Sequence, residues 1–235
     1  MGDDKIIYNE DDNIFKRQFN GQKSNEIPFS VKNKTRYFRV NQTKIYDEKD
    51  ELFCSLDEIL LKGKHNLSNL IASATVAKIL KVDDRTIKHT MKNYSGINHR
   101  LQTIRKLNGV TYINDSKATN IQSVIVATNS FDDPIILILG GKNKNSNFRL
   151  LLPHTKRHVK HIVSYGEAGG EIAAAIGDAV RLNRVSSLSQ AVASAHKLAA
   201  PGDIVLMSPG CASFDQFKNF EERGNKFAYL VNNLK

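Results

Sequence analysis

A chain of 235 residues with 40% hydrophobic and 25% charged residues can bury a full core in one or two globular domains. No apolar run approaches a membrane span and the start, Met1-Gly2-Asp3-Asp4-Lys5, lacks signal-peptide features, so a cytoplasmic protein without a membrane partner is expected. The formal net charge is +10, but the basic residues are scattered apart from Lys142/Lys144 and the stretch His154 to His161. No zinc finger, basic helix or aromatic-interleaved RNA motif occurs, so no nucleic acid is expected as a partner, and the charge reads mainly as a basic surface within which a few residues handle phosphate. Cys54 and Cys211 sit in unrelated contexts without metal-ligand spacing, as reduced thiols do.

In chain order, residues 5–8 form a predicted strand ending in Asn9-Glu10-Asp11-Asp12, 35–40 and 43–46 a strand pair around Asn41-Gln42, and 51–54 a further short strand. Strands that follow one another without helices point to a small antiparallel patch. From Asn66 to Leu80, apolar residues recur near helical spacing, and Asp83-Asp84 can cap a second helix through Met91. Gly96-Ile97-Asn98 interrupts the pattern as a linker would, dividing the chain into domains at 1–95 and 96–235. Beyond it, strands are predicted near 101–105, 110–113, 135–139, 159–164, 180–185 and 203–207. Helices are predicted near 119–129, 168–176, 187–199 and 217–233. This alternation gives an α/β fold: a doubly wound, mostly parallel sheet with helices on both faces. Asn108-Gly109 suits a tight turn, so the first two of these strands should be an antiparallel edge hairpin.

Chemistry-bearing residues collect where predicted strands end. Asn114-Asp115-Ser116-Lys117-Ala118-Thr119-Asn120 follows an apolar run and opens a helix, offering a carboxylate, an ammonium, two hydroxyls and two amides in seven residues. Gly140-Gly141-Lys142-Asn143-Lys144 follows Ile135 to Leu139, and the glycine pair lets backbone approach a ligand. Ser208-Pro209-Gly210-Cys211-Ala212-Ser213 follows a third strand and leads to Phe214, Phe217 and Phe220. Arg100, after the linker, suits bidentate phosphate or carboxylate contact. Asn66 and Asn69 lie one turn apart and can face a nucleotide together, or Asn66 can simply cap its helix. Three polar loops on one rim describe a pocket for an anionic ligand. Cys211 has no histidine partner in the pattern and is not expected to be a nucleophile.

These residues together resemble the Mur ligase family, in particular its D-glutamate-adding members. The matching pieces are GKHNLSN at 63–69, HR at 99–100, NDSKATN at 114–120, GGKNK at 140–144 and SPGCASFDQFKNFEERGNKF at 208–227. The resemblance runs from about residue 5 to the end. It implies that 1–95 is the last, incomplete α/β portion of a central ATP-binding domain and that 96–235 is a complete Rossmann-like domain that binds D-glutamate.

Family members carry, further upstream, a uridine-nucleotide domain and a Gly-Lys-Thr/Ser P-loop with metal-binding residues. No such P-loop occurs in this sequence, so the resemblance implies a truncated or split ligase, inactive alone, whose Mg2+ ligands lie in the missing segment and which is a monomer when full length. The implied reaction is ATP-dependent amide formation between UDP-N-acetylmuramoyl-L-alanine and D-glutamate through an acyl phosphate, in peptidoglycan biosynthesis.

Carried over by motif, Asn66 and Asn69 would contact the nucleotide, and Arg100 and Asp115 its phosphate-ribose region. Lys117 would neutralise charge on the nucleotide phosphates or on the glutamate side, and Lys117 and Arg100 would be the catalytic residues. Thr119, Lys144, Ser213 and Phe220 would form the D-glutamate site. Two positions depart from the family: Asn147 stands where an Asp is usual, and Gly210 where an Ala is common. The alternative is a non-catalytic Rossmann-like module that needs a P-loop partner chain. A dinucleotide-dependent oxidoreductase fits poorly, since no Gly-x-Gly-x-x-Gly follows any strand.

Overall fold

A computed structural model describes residues 4–19, 25–61 and 64–235; Gly63, at the start of the GKHNLSN motif, lies outside the described residues. The chain divides into two compact units, Met1–Gly96 and Ile97–Lys235.

The first unit opens with β1 (Ile6–Asn9), α1 (Asn13–Gln18) and β2 (Glu26–Phe29), with β1 and β2 paired in parallel. This corrects the expected antiparallel patch: β1 joins a helix-linked parallel pair. The helix α1 escaped the sequence pattern because none of its six residues is buried, although Asp12 caps it by accepting from Ile14 N at 2.8 Å. The short strands β3 (Arg39–Asn41), β4 (Lys44–Tyr46) and β5 (Leu52–Ser55) form an antiparallel meander. Residues 35–38 are not strand; Thr35 N and Oγ1 instead both donate to Phe38 O. The helices α2 (Lys64–Ile79) and α3 (Asp84–Asn93) close this core, where Ile45, Phe53, Ile71, Ile87 and Met91 are buried. Asp83 caps α3, accepting from Thr86 N at 2.9 Å. Asn66 lies inside α2 rather than at its cap.

The second unit carries β6 (Gln102–Leu107), β7 (Val110–Asn114), α4 (Ile121–Thr128), β8 (Ile135–Gly140), α5 (Leu152–His158), β9 (Val159–Tyr165), α6 (Gly169–Ile176), β10 (Leu182–Arg184), α7 (Leu188–Leu198), β11 (Ile204–Gly210) and α8 (Phe220–Asn232). The sheet order is β10-β9-β8-β11-β7-β6, parallel throughout except for β6. The β6–β7 turn has positive φ at both Asn108 (50°) and Gly109 (79°), the backbone of a type I′ hairpin. Alternate residues of the central strands feed two cores. Leu137, Leu139 and Leu206 pack with Val124 of α4 and Ile172 of α6 on one face. Ile136, Ile138 and Val205 pack with Val192 of α7 and Phe227 of α8 on the other. The fold is therefore α/β and doubly wound.

The winding locates the functional edge. The connections that follow β7 and β8 run over one face, whereas β11 returns between those two strands and leads to α8 on the other. Strands whose continuations part to opposite faces leave a crevice beyond their carboxyl ends, which is where open α/β sheets bind ligands. Within that edge, Asn147 does the work of a cap. Its Oδ1 accepts from Arg149 N at 3.1 Å at the start of a short 3₁₀ turn, so the amide replaces a carboxylate without loss of the bond.

Candidate functional site

The loop after β7 is fixed by its own polar atoms. Asp115 N donates to Met207 O at 2.8 Å, and the Asp115 carboxylate accepts from Ser208 Oγ at 2.7 Å and from Leu101 N at 3.2 Å. Burial pushes the carboxyl up to about 6, while these two donors and the nearby Arg100 charge pull the other way. Asp115 thus ties β11, the start of β6 and its own loop together. Because β6 is antiparallel to β7, Gln102 lies opposite Asn114, and Arg100 is delivered to the same edge as the end of β7. The Arg100 side chain is exposed.

His99 anchors that delivery. It adopts a positive φ of 64° and is buried, with its carbonyl accepting from Lys117 N at 2.9 Å. Asn114 Oδ1 accepts from Ser116 N, which turns Nδ2 toward His99 Nδ1 at 3.1 Å and Gly224 O at 3.0 Å. A donor facing Nδ1 suits a neutral ring, and burial pushes the His99 pKa down. The ring fits against Gly224, where a Cβ would fall 2.2 Å from Nδ1.

The loops after β8 and β11 are zipped together at the crevice. Lys142 N donates to Ala212 O at 2.9 Å, and Ala212 N to Lys142 O at 3.0 Å. Gly141, at φ 123°, allows this approach, since a Cβ there would lie 2.2 Å from Ala212 O. Ser213 follows this bridge and is 2% exposed. Lys144 is exposed with its Nζ 5.7 Å from the Phe214 ring centroid, and Lys117 stands 4.8 Å over the ring of Phe220, the first residue of α8. Thr119 is half-buried, next to Ala118, whose carbonyl accepts from Gly210 N at 2.9 Å.

Arg100, Asp115, Lys117, Thr119, Lys144, Ser213 and Phe220 therefore all sit at the carboxyl edge of one sheet. Asn66, half-buried, and Asn69, exposed, belong to α2 of the first unit.

Arg223 was not among the residues singled out from sequence, yet it joins two of the loops. Fully buried, it donates through Nε to Ser116 Oγ (2.9 Å), through Nη2 to Ser116 O (2.7 Å) and through Nη1 to Cys211 O (3.0 Å). Ser116 Oγ passes the contact on to Phe220 O at 2.7 Å. The signal was present: Phe220, Arg223, Gly224, Phe227 and Val231 trace one helical stripe, and an arginine within a buried stripe calls for acceptors inside. Cys211 is buried with its thiol pushed up to about 12 by desolvation, which disqualifies it as a nucleophile.

Residues 99–211 match the family model described as Mur ligase, glutamate ligase domain. The chain is 36% identical over 235 residues to the UDP-N-acetylmuramoylalanine--D-glutamate ligase of Bacillus subtilis, covering 99% of this chain and 52% of that protein. The enzyme of the same name from Clostridioides difficile is 38% identical over 238 residues, covering 99% of this chain and 53% of its own. The chain spans about half the length of the curated relatives it matches. Among solved structures, a pseudomurein peptide ligase type C from Methanothermus fervidus superposes with a TM-score of 0.71 at 13% identity, over 98% of this chain and 57% of that one. MurF from Acinetobacter baumannii gives 0.68 at 14% identity, over 97% and 53%. These structural likenesses concern the fold, while the sequence matches reach further. Matched by that domain over 99–211 and by those ligases along 99% of its length, this chain belongs to the Mur ligase family.

Proposed function

We propose that the Ile97–Lys235 unit is the D-glutamate-binding domain of an ATP-dependent, amide-forming ligase of peptidoglycan biosynthesis, and that Met1–Gly96 carries part of its ATP-binding domain. The observation that carries this reading is the gathering of Lys117, Lys144, Ser213 and Phe220 on loops locked together by the Lys142–Ala212 bridge and by Arg223. A dicarboxylate amino acid needs two cationic contacts and a fixed hydroxyl donor; the two exposed lysines and buried Ser213 fit that need. The names of the relatives support D-glutamate as the amino acid and UDP-N-acetylmuramoyl-L-alanine as the acceptor.

The roles follow from position. Lys144 and Lys117 meet the carboxylates and screen charge that builds on the reacting centre. Ser213 and Thr119 orient the amino acid, and Phe220 walls it. Arg100 grips the phosphates of the nucleotide, with Asp115 holding the backbone that presents it. Asn66 and Asn69 meet the nucleotide from α2. ATP, when bound, supplies the activation that makes a carboxyl group electrophilic. Among the described residues no cluster of His, Cys, Asp or Glu gathers as a metal site, and no step here is assigned to Mg2+. The protein works in the cytoplasm as part of a monomeric ligase and does not act on nucleic acid.

Calorimetry with the purified chain tests the reading. D-glutamate should bind in preference to L-glutamate, and Lys144→Ala should weaken binding roughly tenfold or more, the loss of a charge-assisted contact. Equal heats for both enantiomers, or an unaltered affinity in Lys144→Ala, would overturn it. The chain alone should release no ADP from ATP; D-glutamate-dependent ADP formation by it would refute that part.

A further inference from the structure

The loops after β8, β9 and β11 meet where there is no room for side chains. A Cβ on Gly140 would fall 2.1 Å from Tyr165 O, and one on Gly166 (φ 70°) 2.2 Å from Asp215 Oδ2 and 3.3 Å from Gly141 Cα. Asp215 enters this gap from the β11–α8 loop. Its Oδ2 accepts from Glu167 N at 3.2 Å, while its Oδ1 is buried without a partner. The Tyr165 side chain is also fully buried. Burial pushes the Tyr165 pKa up to about 12, while Arg223 opposes that rise. Arg223 has only hydroxyl and carbonyl acceptors, and no carboxylate lies in ion-pair contact with it among the described residues.

We propose that Asp215 is a positioning residue that pins the Ser213 loop: its carboxylate is held by the Glu167 amide. Ser213 lies between two anchors. Upstream is the Ala212–Lys142 bridge to the β8 loop; downstream is Asp215, tied to the β9 loop. The Ser213 carbonyl closes the intervening turn by accepting from Gln216 N (3.2 Å) and Phe217 N (2.9 Å). Gln216 adds a tie to the start of α7, accepting from Leu188 N and donating to Ser186 O. Fixing Ser213 at both ends sets where its hydroxyl meets the acidic amino acid, a role that rests on the reading above for its ligand, though the pin itself does not.

Amide hydrogen exchange and calorimetry on the intact chain test this with three variants. Asp215→Ala should raise exchange at Ala212 and Lys142 about tenfold, the opening of roughly one net hydrogen bond's worth of stability, with Ile136 to Leu139 unchanged. Its affinity for D-glutamate should fall by a similar factor. Asp215→Asn keeps an acceptor for the Glu167 amide and should restore most of the protection. Gly166→Ala, whose methyl group would displace the Asp215 carboxylate, should reproduce the Asp215→Ala exchange pattern. Unaltered exchange at Ala212 and Lys142 in Asp215→Ala would overturn the proposal. Raised exchange in a chain whose wild type binds no D-glutamate would uphold the pin and overturn the ligand reading.

Discussion

Replacing Arg223 by methionine keeps most of the side-chain volume and removes all three of its hydrogen bonds. Ser116 Oγ still donates to Phe220 O, so it retains a partner, but the carbonyls of Ser116 and Cys211 lose their donors inside the protein. Each orphaned buried acceptor costs about 1–3 kcal/mol. Against that stands the relief of no longer desolvating a guanidinium that has no carboxylate partner, worth several kcal/mol in the opposite sense. The acceptors are backbone atoms held rigidly at two strand ends and cannot rotate toward water. The two acceptors together cost about 2–6 kcal/mol, of which that relief offsets the larger part, so the net loss should be about 1–2 kcal/mol. For a unit of this size that corresponds to a fall in melting temperature of roughly 5 °C. Scanning calorimetry on wild type, Arg223→Met and Arg223→Lys reads the effect directly. The lysine keeps the charge without the planar fork and should recover only part of the loss. An Arg223→Met protein as stable as wild type, or more so, would refute the reasoning, because the cost of burying the charge would then outweigh its bonds.

Asp115 gives a pH signature. Its folded pKa of about 6 lies above the unfolded value, so the folded state binds the extra proton between roughly pH 4 and 6 and its stability falls as pH rises through that window, by up to about 3 kcal/mol. Asp115→Asn should flatten this slope in urea melts at about pH 4 and about pH 7, which bracket that window; an undiminished slope would assign it to other groups. Gly224→Ala would drive a methyl group into the His99 ring and should cost about 1–3 kcal/mol and shift the His99 ring resonances, whereas unshifted resonances would contradict the packing. Tyr112→Phe removes a 2.6 Å hydrogen bond to His196 Nδ1 and should cost about 1 kcal/mol by denaturant midpoint; a neutral result would mean the bond contributes nothing net.

The second unit was readable because each of its layers repeats its message. Ile135 to Leu139 are wholly buried on both faces and appear as an unbroken apolar run; Asn108-Gly109 spells its turn; Asn120, Ser187 and Asn219 each stand at a helix start and cap it. The segment 148–158 was missed. Phe148 and Leu151 are buried, but α5 is only seven residues long and mostly polar and basic, too short to carry an apolar period. The β1–α1–β2 pairing was illegible for a different reason: α1 buries nothing, so it carries no periodicity to read. At the crevice, strand-end loops identified which residues converge, since sequence order and winding fix the edge. What spacing could not show is which of them are held. Ser116 and Arg223 gain their importance from each other across 107 residues, Asp215 from Glu167 across 48, and His99 from the glycine packed against its ring, and such pairs have no local signature.

Burial of both thiols has a practical use. Cys54 is pushed up to about 11 and Cys211 to about 12 by desolvation, so neither offers appreciable thiolate near neutral pH. A cysteine introduced at an exposed position on each unit would then be modified by maleimide dyes against a silent native background. Fluorescence transfer between two such labels would report the separation of the units with and without added nucleotide or D-glutamate, without first stripping the chain of its own sulfur.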